Sequence, residues 1–145
     1  MEKIVKTLVS QHNELRVLLR QIEEDALRSK DGDSLVEAHG TFLKKLEEHL
    51  LLEDECFYPK ILEGMKQKNV SSEQIDKTKM FIKKMKDIEV EVIRFFDAYK
   101  TSEAIRESKD SYLRELKDIM ATLIMRIEAE EDGVYIMWDF FGVKG

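Results

Sequence analysis

The sequence predicts an all-α protein, an antiparallel up-down-up-down four-helix bundle. Three observations lead there. Four stretches carry apolar residues at alternating spacings of three and four, the mark of an amphipathic helix facing a core. The connections between them are short, which favours antiparallel neighbours. Helix breakers are scarce, with one proline and six glycines in 145 residues. Hydrophobic residues make up 43% of the chain and charged residues 37%, the balance of a soluble helix-rich protein whose straight-chain charged side chains cover the outside. The length fits a single domain, residues 1–145, built as two helical hairpins of about 1–66 and 71–141.

In the first helix the stripe is Ile4, Leu8, Leu15, Leu19 and Ile22, with His12 in its gap. Asp31-Gly32-Asp33 reads as a turn, and Ser34 followed by Glu37 as a capping box opening the second helix. The second stripe is Phe42, Leu46, Leu50 and Phe57, with His39, His49 and Glu53 on the same side. Pro59 is expected to end or kink this helix, because it has no backbone N–H to donate and clashes with the preceding turn. A loop is expected around Gly64 to Val70, after which Ser71 and Gln74 cap a third helix. Its stripe is Phe81, Met85, Ile88, Val92, Phe95 and Tyr99. Thr101-Ser102 offers a cap for a fourth helix, striped by Leu113, Leu116, Met120, Leu123, Ile127 and Val134, with Glu130 in the gap. Met80, Met85, Met120 and Met125 also fall at helical spacing and read as core filling rather than as haem or copper ligands.

The two hairpins are related by an internal repeat. The segment from Leu46 to Tyr58 aligns without gaps on that from Leu123 to Tyr135, pairing Glu53 with Glu130 and Tyr58 with Tyr135. His49 falls on Arg126.

Several function classes drop out. A formal charge of −6 argues against nucleic acid as a partner, since phosphate binding needs clustered Lys and Arg. No apolar run approaches the roughly 20 residues that span a bilayer, and the first residues lack the apolar block of a signal peptide. The single cysteine, Cys56, rules out an internal disulfide framework and fits a reducing compartment, so a cytoplasmic location is expected. Neither a Ser-His-Asp or Cys-His arrangement nor a glycine-rich phosphate loop is visible, which leaves no basis for assigning hydrolysis or phosphoryl transfer.

Chemistry concentrates at the stripe gaps. His49 and Glu53 are four apart and share one helix face, so an imidazole and a carboxylate can bind one ion. His12 and Glu130 interrupt the stripes of helices one and four, and a polar residue at a core position needs a hydrogen bond, an opposite charge or a metal. Two imidazoles and two carboxylates suit iron, zinc or manganese. His39 stands ten residues before His49, about 15 Å along a helix, too far to share an ion with it, and reads as a helix-end or half-buried histidine. Cys56 reads as a small buried hydrophobe one turn beyond Glu53. In the acidic run Glu130-Glu131-Asp132, only the stripe position is expected to point inward. Trp138, Phe140 and Phe141 are unusually apolar for a tail, and either cover the open end of the bundle or contact another chain.

His49-x-x-x-Glu53-Asp54 followed by Phe57-Tyr58-Pro59 resembles the central motif of hemerythrin-like, histidine–histidine–glutamate cation-binding domains, and His12 stands where that family has its first histidine. The resemblance extends over nearly the whole chain. It implies a pair of irons sharing two bridging carboxylates, with histidines from all four helices, in a bundle that binds dioxygen or nitric oxide or serves iron sensing or repair. Carried over residue by residue, it makes His12, His49, Glu53 and Glu130 metal ligands. Helix three holds no histidine, Thr78 being the best match to His12 by stripe register, and Arg126 replaces the histidine of helix four. The expectation is therefore an incomplete site, holding one ion or none. Arg126 is four residues before Glu130, and its guanidinium can bridge two carboxylates in place of the lost ion. The plainer reading of Arg126 is a surface arginine paired with Glu130. The rival functional reading is a metal-free bundle acting as an interaction or sensor module, with Trp138, Phe140 and Phe141 as its contact surface.

Overall fold

The computed structural model describes residues 3–28 and 32–142. Among them there are α-helices and no strands: α1 (Lys3–Leu27), α2 (Gly32–Leu52), α3 (Tyr58–Gln67), α4 (Ser72–Ala98), α5 (Ser102–Glu107), α6 (Lys109–Ala129) and α7 (Tyr135–Phe141). A π-helical turn, Glu53–Phe57, joins α2 to α3, and a second, Glu130–Val134, joins α6 to α7. Helix α1 packs on α2, α2 on α4, α4 on α6, and α6 back on α1, which closes a bundle around the apolar stripes.

Of the three expected helix starts, the one at Ser71 holds and the one at Thr101 holds in part. Ser71 accepts the Gln74 N–H at 3.3 Å and opens α4, and Thr101 accepts the Ala104 N–H at 3.1 Å. Thr101 caps only the short α5, however, because the chain breaks at Ser108 (φ −128°, ψ 41°) before α6 begins. The turn and capping box around residues 31–37 are misplaced: Gly32, Asp33 and Ser34 already belong to α2, and Asp31 lies outside the described residues. Gly32 serves packing instead, since a Cβ there would lie 2.3 Å from Ser102 Oγ at the start of α5. Likewise Gly64 to Gln67 are helical, not loop; α3 ends at Gln67, and the turn after it passes through Asn69, whose φ of 56° is a conformation that Asn tolerates. Pro59 stands in the first turn of α3, beyond the π turn that follows α2, where its missing N–H breaks no bond of that helix, and α3 continues for a further two turns or so.

The core divides in two. One apolar cluster includes Leu15, Leu19, Phe42, Leu46, Phe96, Tyr112 and Leu123. The other includes Val5, Leu8, Phe57, Ile61, Met65, Val134 and Trp138. Along each of three arms the break between the clusters falls at polar residues: His12 between Leu8 and Leu15, Glu53 between Leu50 and Phe57, with His49 just before Leu50, and Arg126 and Glu130 between Leu123 and Val134.

Further positions refine or overturn what the sequence suggests. Of the two readings of the terminal aromatics, Trp138 takes the one that covers the bundle: it is buried and stacked on Phe57, α7 lies against α3, and of the three only Phe140 is well exposed. Met85 and Met120 fill the core, but Met80 and Met125 face outward. His39 is fully buried rather than at the margin, with Nε2 2.7 Å from the Tyr112 hydroxyl, and Cys56 is half-buried.

Candidate metal centre

His12, His49, Glu53 and Glu130 converge. One donor atom from each lies within 4.8 Å of the others, and all four side chains are buried. His12 comes from the second half of the stripe gap in α1, His49 from the last turn of α2, and each glutamate opens a π turn.

The π turns have a geometric purpose. In an α-helix a residue five beyond another points about 140° away from it. In the first π turn the Tyr58 N–H bonds to the Glu53 carbonyl five residues back, so the widened turn carries Tyr58 round to the buried side. The second does the same for Tyr135 after Glu130. No proline accompanies the second turn, so the feature follows the repeat and not Pro59. Each tyrosine then crosses to the other hairpin: the Tyr58 hydroxyl donates to Glu130, and the Tyr135 hydroxyl donates to Glu53 at 2.8 Å.

Both histidines are held from behind. His49 Nδ1–H donates to Gln11 Oε1 at 2.7 Å, which leaves the Nε2 lone pair facing Glu53 Oε1 at 3.4 Å. Burial, with the charges of His12 and Arg126 beside it, lowers the His49 pKa to about 3, so this imidazole is neutral at ordinary pH and fit to ligate. His12 Nδ1 lies 2.9 Å from Glu131, which Arg16 holds at 2.9 Å, while Nε2 faces Glu130 at 3.1 Å. A carboxylate or amide behind a histidine fixes its tautomer and ring orientation.

Arg126 points inward, with 5% of its side chain exposed. Its guanidinium lies 3.4 Å from Glu53 and 3.7 Å from Glu130, and donates to the Met85 backbone carbonyl at 3.1 Å. The surface-arginine reading therefore fails. Thr78 does not enter the site: its hydroxyl bonds to Gln74 within its own helix, and Met85, two turns further on, is the α4 residue that meets Arg126. Burial and the neighbouring Glu130 raise the Glu53 pKa well above the usual carboxylate range. Burial would raise Glu130 too, but hydrogen bonds with Glu53, His12 and Tyr58 and the charge of Arg126 outweigh it and hold its pKa low. Burial thus favours the protonated form of Glu53, while the arginine and the hydrogen bonds around it favour the ionised form of Glu130.

The donor set fits a transition metal. Donor atoms about 2.1 Å from one ion stand at most about 4.2 Å apart, so a shift of a few tenths of an ångström per ligand would suffice. Beside the cluster is a cavity of about 10 Å³ lined by Leu15, Leu19, Phe42, Leu46 and Leu123 together with His12, His49 and Arg126, room for about one water. Four contributors escaped the reading of the sequence. Tyr58 and Tyr135 were visible as equivalent positions of the repeat, but only a π turn brings them inside. Gln11 and Glu131 each adjoin a ligand along the chain and so stand about 100° round the helix from it; each becomes a partner only through a neighbouring helix. Glu131 in particular is not merely solvated, since it reaches back to His12.

A family model, the hemerythrin HHE cation-binding domain, matches residues 3–138. No curated protein and no solved structure matches the chain.

Proposed function

From the premise that the chain belongs to the hemerythrin HHE cation-binding family, we propose that it holds a single metal ion, with iron the favoured metal, on His12, His49, Glu53 and Glu130. The one observation that carries this is the convergence of these four buried side chains, with His49 in the tautomer that offers Nε2 to an ion. Arg126 supplies the second positive charge that a two-metal site would have held, because its guanidinium reaches both carboxylates. The chain is read as one domain, residues 1–145, in an up-down-up-down arrangement, in keeping with the closed ring of helix contacts. Zinc and manganese suit the same donors. A bound iron would supply a redox-active Lewis acid; the residues orient it, keep it from bulk water and neutralise its surroundings. No helix among the described residues is long and apolar enough to cross a membrane. Iron holding or sensing fits this site better than carriage of dioxygen or nitric oxide, because Arg126 fills the half of the pocket where the other ion of a pair would stand.

A second reading has its own support. No buried side-chain nitrogen or oxygen of the cluster lacks a partner among the described residues, so the cluster is satisfied without an ion. On this reading the chain is a metal-free sensor or interaction module. Elemental analysis of protein purified without chelator separates the two. About one metal ion per chain, lost in the His49→Ala, Glu53→Ala variant, is the expected result. About two would mean that Arg126 does not replace an ion, and none after reconstitution with iron or zinc would leave the metal-free module.

A further inference from the structure

The repeat makes Tyr58 and Tyr135 equivalent, but their surroundings are not. The Tyr58 hydroxyl donates to Glu130 Oε2, within range of the Arg126 charge. The Tyr135 hydroxyl lies among the proposed ligands: 2.8 Å from Glu53 Oε2, 3.1 Å from His12 Nε2 and 3.4 Å from His49 Nε2. Its ring is stacked beside that of His12, with centroids 5.2 Å apart, and Phe57 packs edge-on against it, so the hydroxyl has little freedom to withdraw. An ion bound to both histidines and Glu53 would meet the Tyr135 oxygen at the same time.

We propose that Tyr135 Oη is a fifth ligand of the bound ion and that the site is built for ferric iron. The inference rests on the metal-binding reading above. When the oxygen ligates, the phenol O–H bond breaks, the oxygen–iron bond forms, and the proton leaves to buffer; with iron supplied as ferric ion, no electron is transferred. An anionic phenolate beside carboxylate adds negative charge at the ion, which stabilises the higher oxidation state. It also fills a coordination position. Both effects run against reversible dioxygen binding, which needs ferrous iron and an open position, and favour retention of oxidised iron. The histidine-bearing half of the pocket thus gains a ligand from the hairpin that lost its own histidine.

The test is to load the full chain with ferric nitrilotriacetate and record visible absorption and resonance Raman spectra. The expected result is a visible phenolate-to-iron charge-transfer band with tyrosinate ring modes, absent in Tyr135→Phe and retained in Tyr99→Phe. Ring-deuterated tyrosine in the unsubstituted protein should shift those modes, which identifies tyrosinate even if Tyr135→Phe folds poorly. Iron bound with no such band would overturn the fifth ligand while leaving the metal site standing. A band that survives Tyr135→Phe, or that vanishes with Tyr58→Phe while iron stays bound, would overturn the assignment to Tyr135. No iron bound at all removes the metal-binding reading and this inference with it.

Discussion

Arg126→Met removes the buried cation while keeping most of the side chain's apolar stem. The guanidinium reaches Glu53 at 3.4 Å and Glu130 at 3.7 Å, and all three groups are almost wholly buried. Breaking a buried ion pair by removing one partner costs roughly 3–5 kcal/mol, because the remaining charge is left uncompensated. Here the lower end applies, since burial and the neighbouring Glu130 raise the Glu53 pKa and so lessen the charge that would be stranded. The expected loss is about 3 kcal/mol at neutral pH, or about 10 °C in Tm for a domain of this size. The sign with pH follows from Glu130, whose depressed pKa contributes stability above the normal carboxylate value and loses it as pH falls. Without Arg126 that pKa rises, the carboxyl can take up a proton, and the deficit of the variant shrinks on acidification. Thermal unfolding in the presence of chelator, at pH 7 and at about pH 4.5, measures both quantities. A Tm loss below about 3 °C, or an equal deficit at both pH values, would refute the reasoning that Arg126 is the counter-charge of the cluster.

Two further outcomes are expected elsewhere in the fold. Burial lowers the His39 pKa to about 4, with the Tyr99 backbone opposing it in part, so its contribution to stability is complete above pH 6.5 and is lost as pH falls toward 4. At pH 5 this amounts to about 2 kcal/mol; the double variant His39→Leu, Tyr112→Phe, which removes both ends of the 2.7 Å hydrogen bond, should lose stability less steeply with acid by that amount, and an unchanged denaturant-unfolding profile would contradict it. At Gly64 a Cβ would stand 1.6 Å from the Phe141 carbonyl oxygen, which is backbone and cannot swing aside. Gly64→Ala is therefore expected to push α7 off α3, to cost about 2–3 kcal/mol or more, and to red-shift the emission of Trp138; a variant with the melting and emission of the parent would show that α7 has room to spare.

The sequence was most legible where one helix decides the outcome by itself. The stripes of α2 and α6 emerge buried as periodicity requires, from Phe42 to Phe57 and from Leu116 to Val134. The stripe gaps marked His12, His49, Glu53 and Glu130, since a polar residue in an apolar row must meet something, and all four meet one another. Signals that depend on a neighbouring element were misread. Gly32 looked like a turn because its contact with Ser102 is seventy residues away in the chain. For Trp138 the sequence left a bundle cover and an outer contact both open, because nothing local shows that Phe57 lies beneath it.

The same division runs through the site. A single helix determines which residues share its face, and a 3.6-residue period is enough to place His49 over Glu53 or Arg126 before Glu130. It does not determine where the period is broken. The two π turns are local departures that bring Tyr58 and Tyr135 inward, and their side chains find acceptors only on the opposite hairpin. Gln11 and Glu131 are likewise ordinary surface residues of their own helices until α1 is laid against α2 and α6. The amphipathic stripes, the core rows and the candidate ligand positions were legible in the sequence by itself, because these follow from short-range periodicity. Only the tertiary structure decided which way Arg126 points, which tyrosine stands among the histidines, and what holds each histidine from behind. Those depend on distances between helices, which periodicity along one chain segment does not encode.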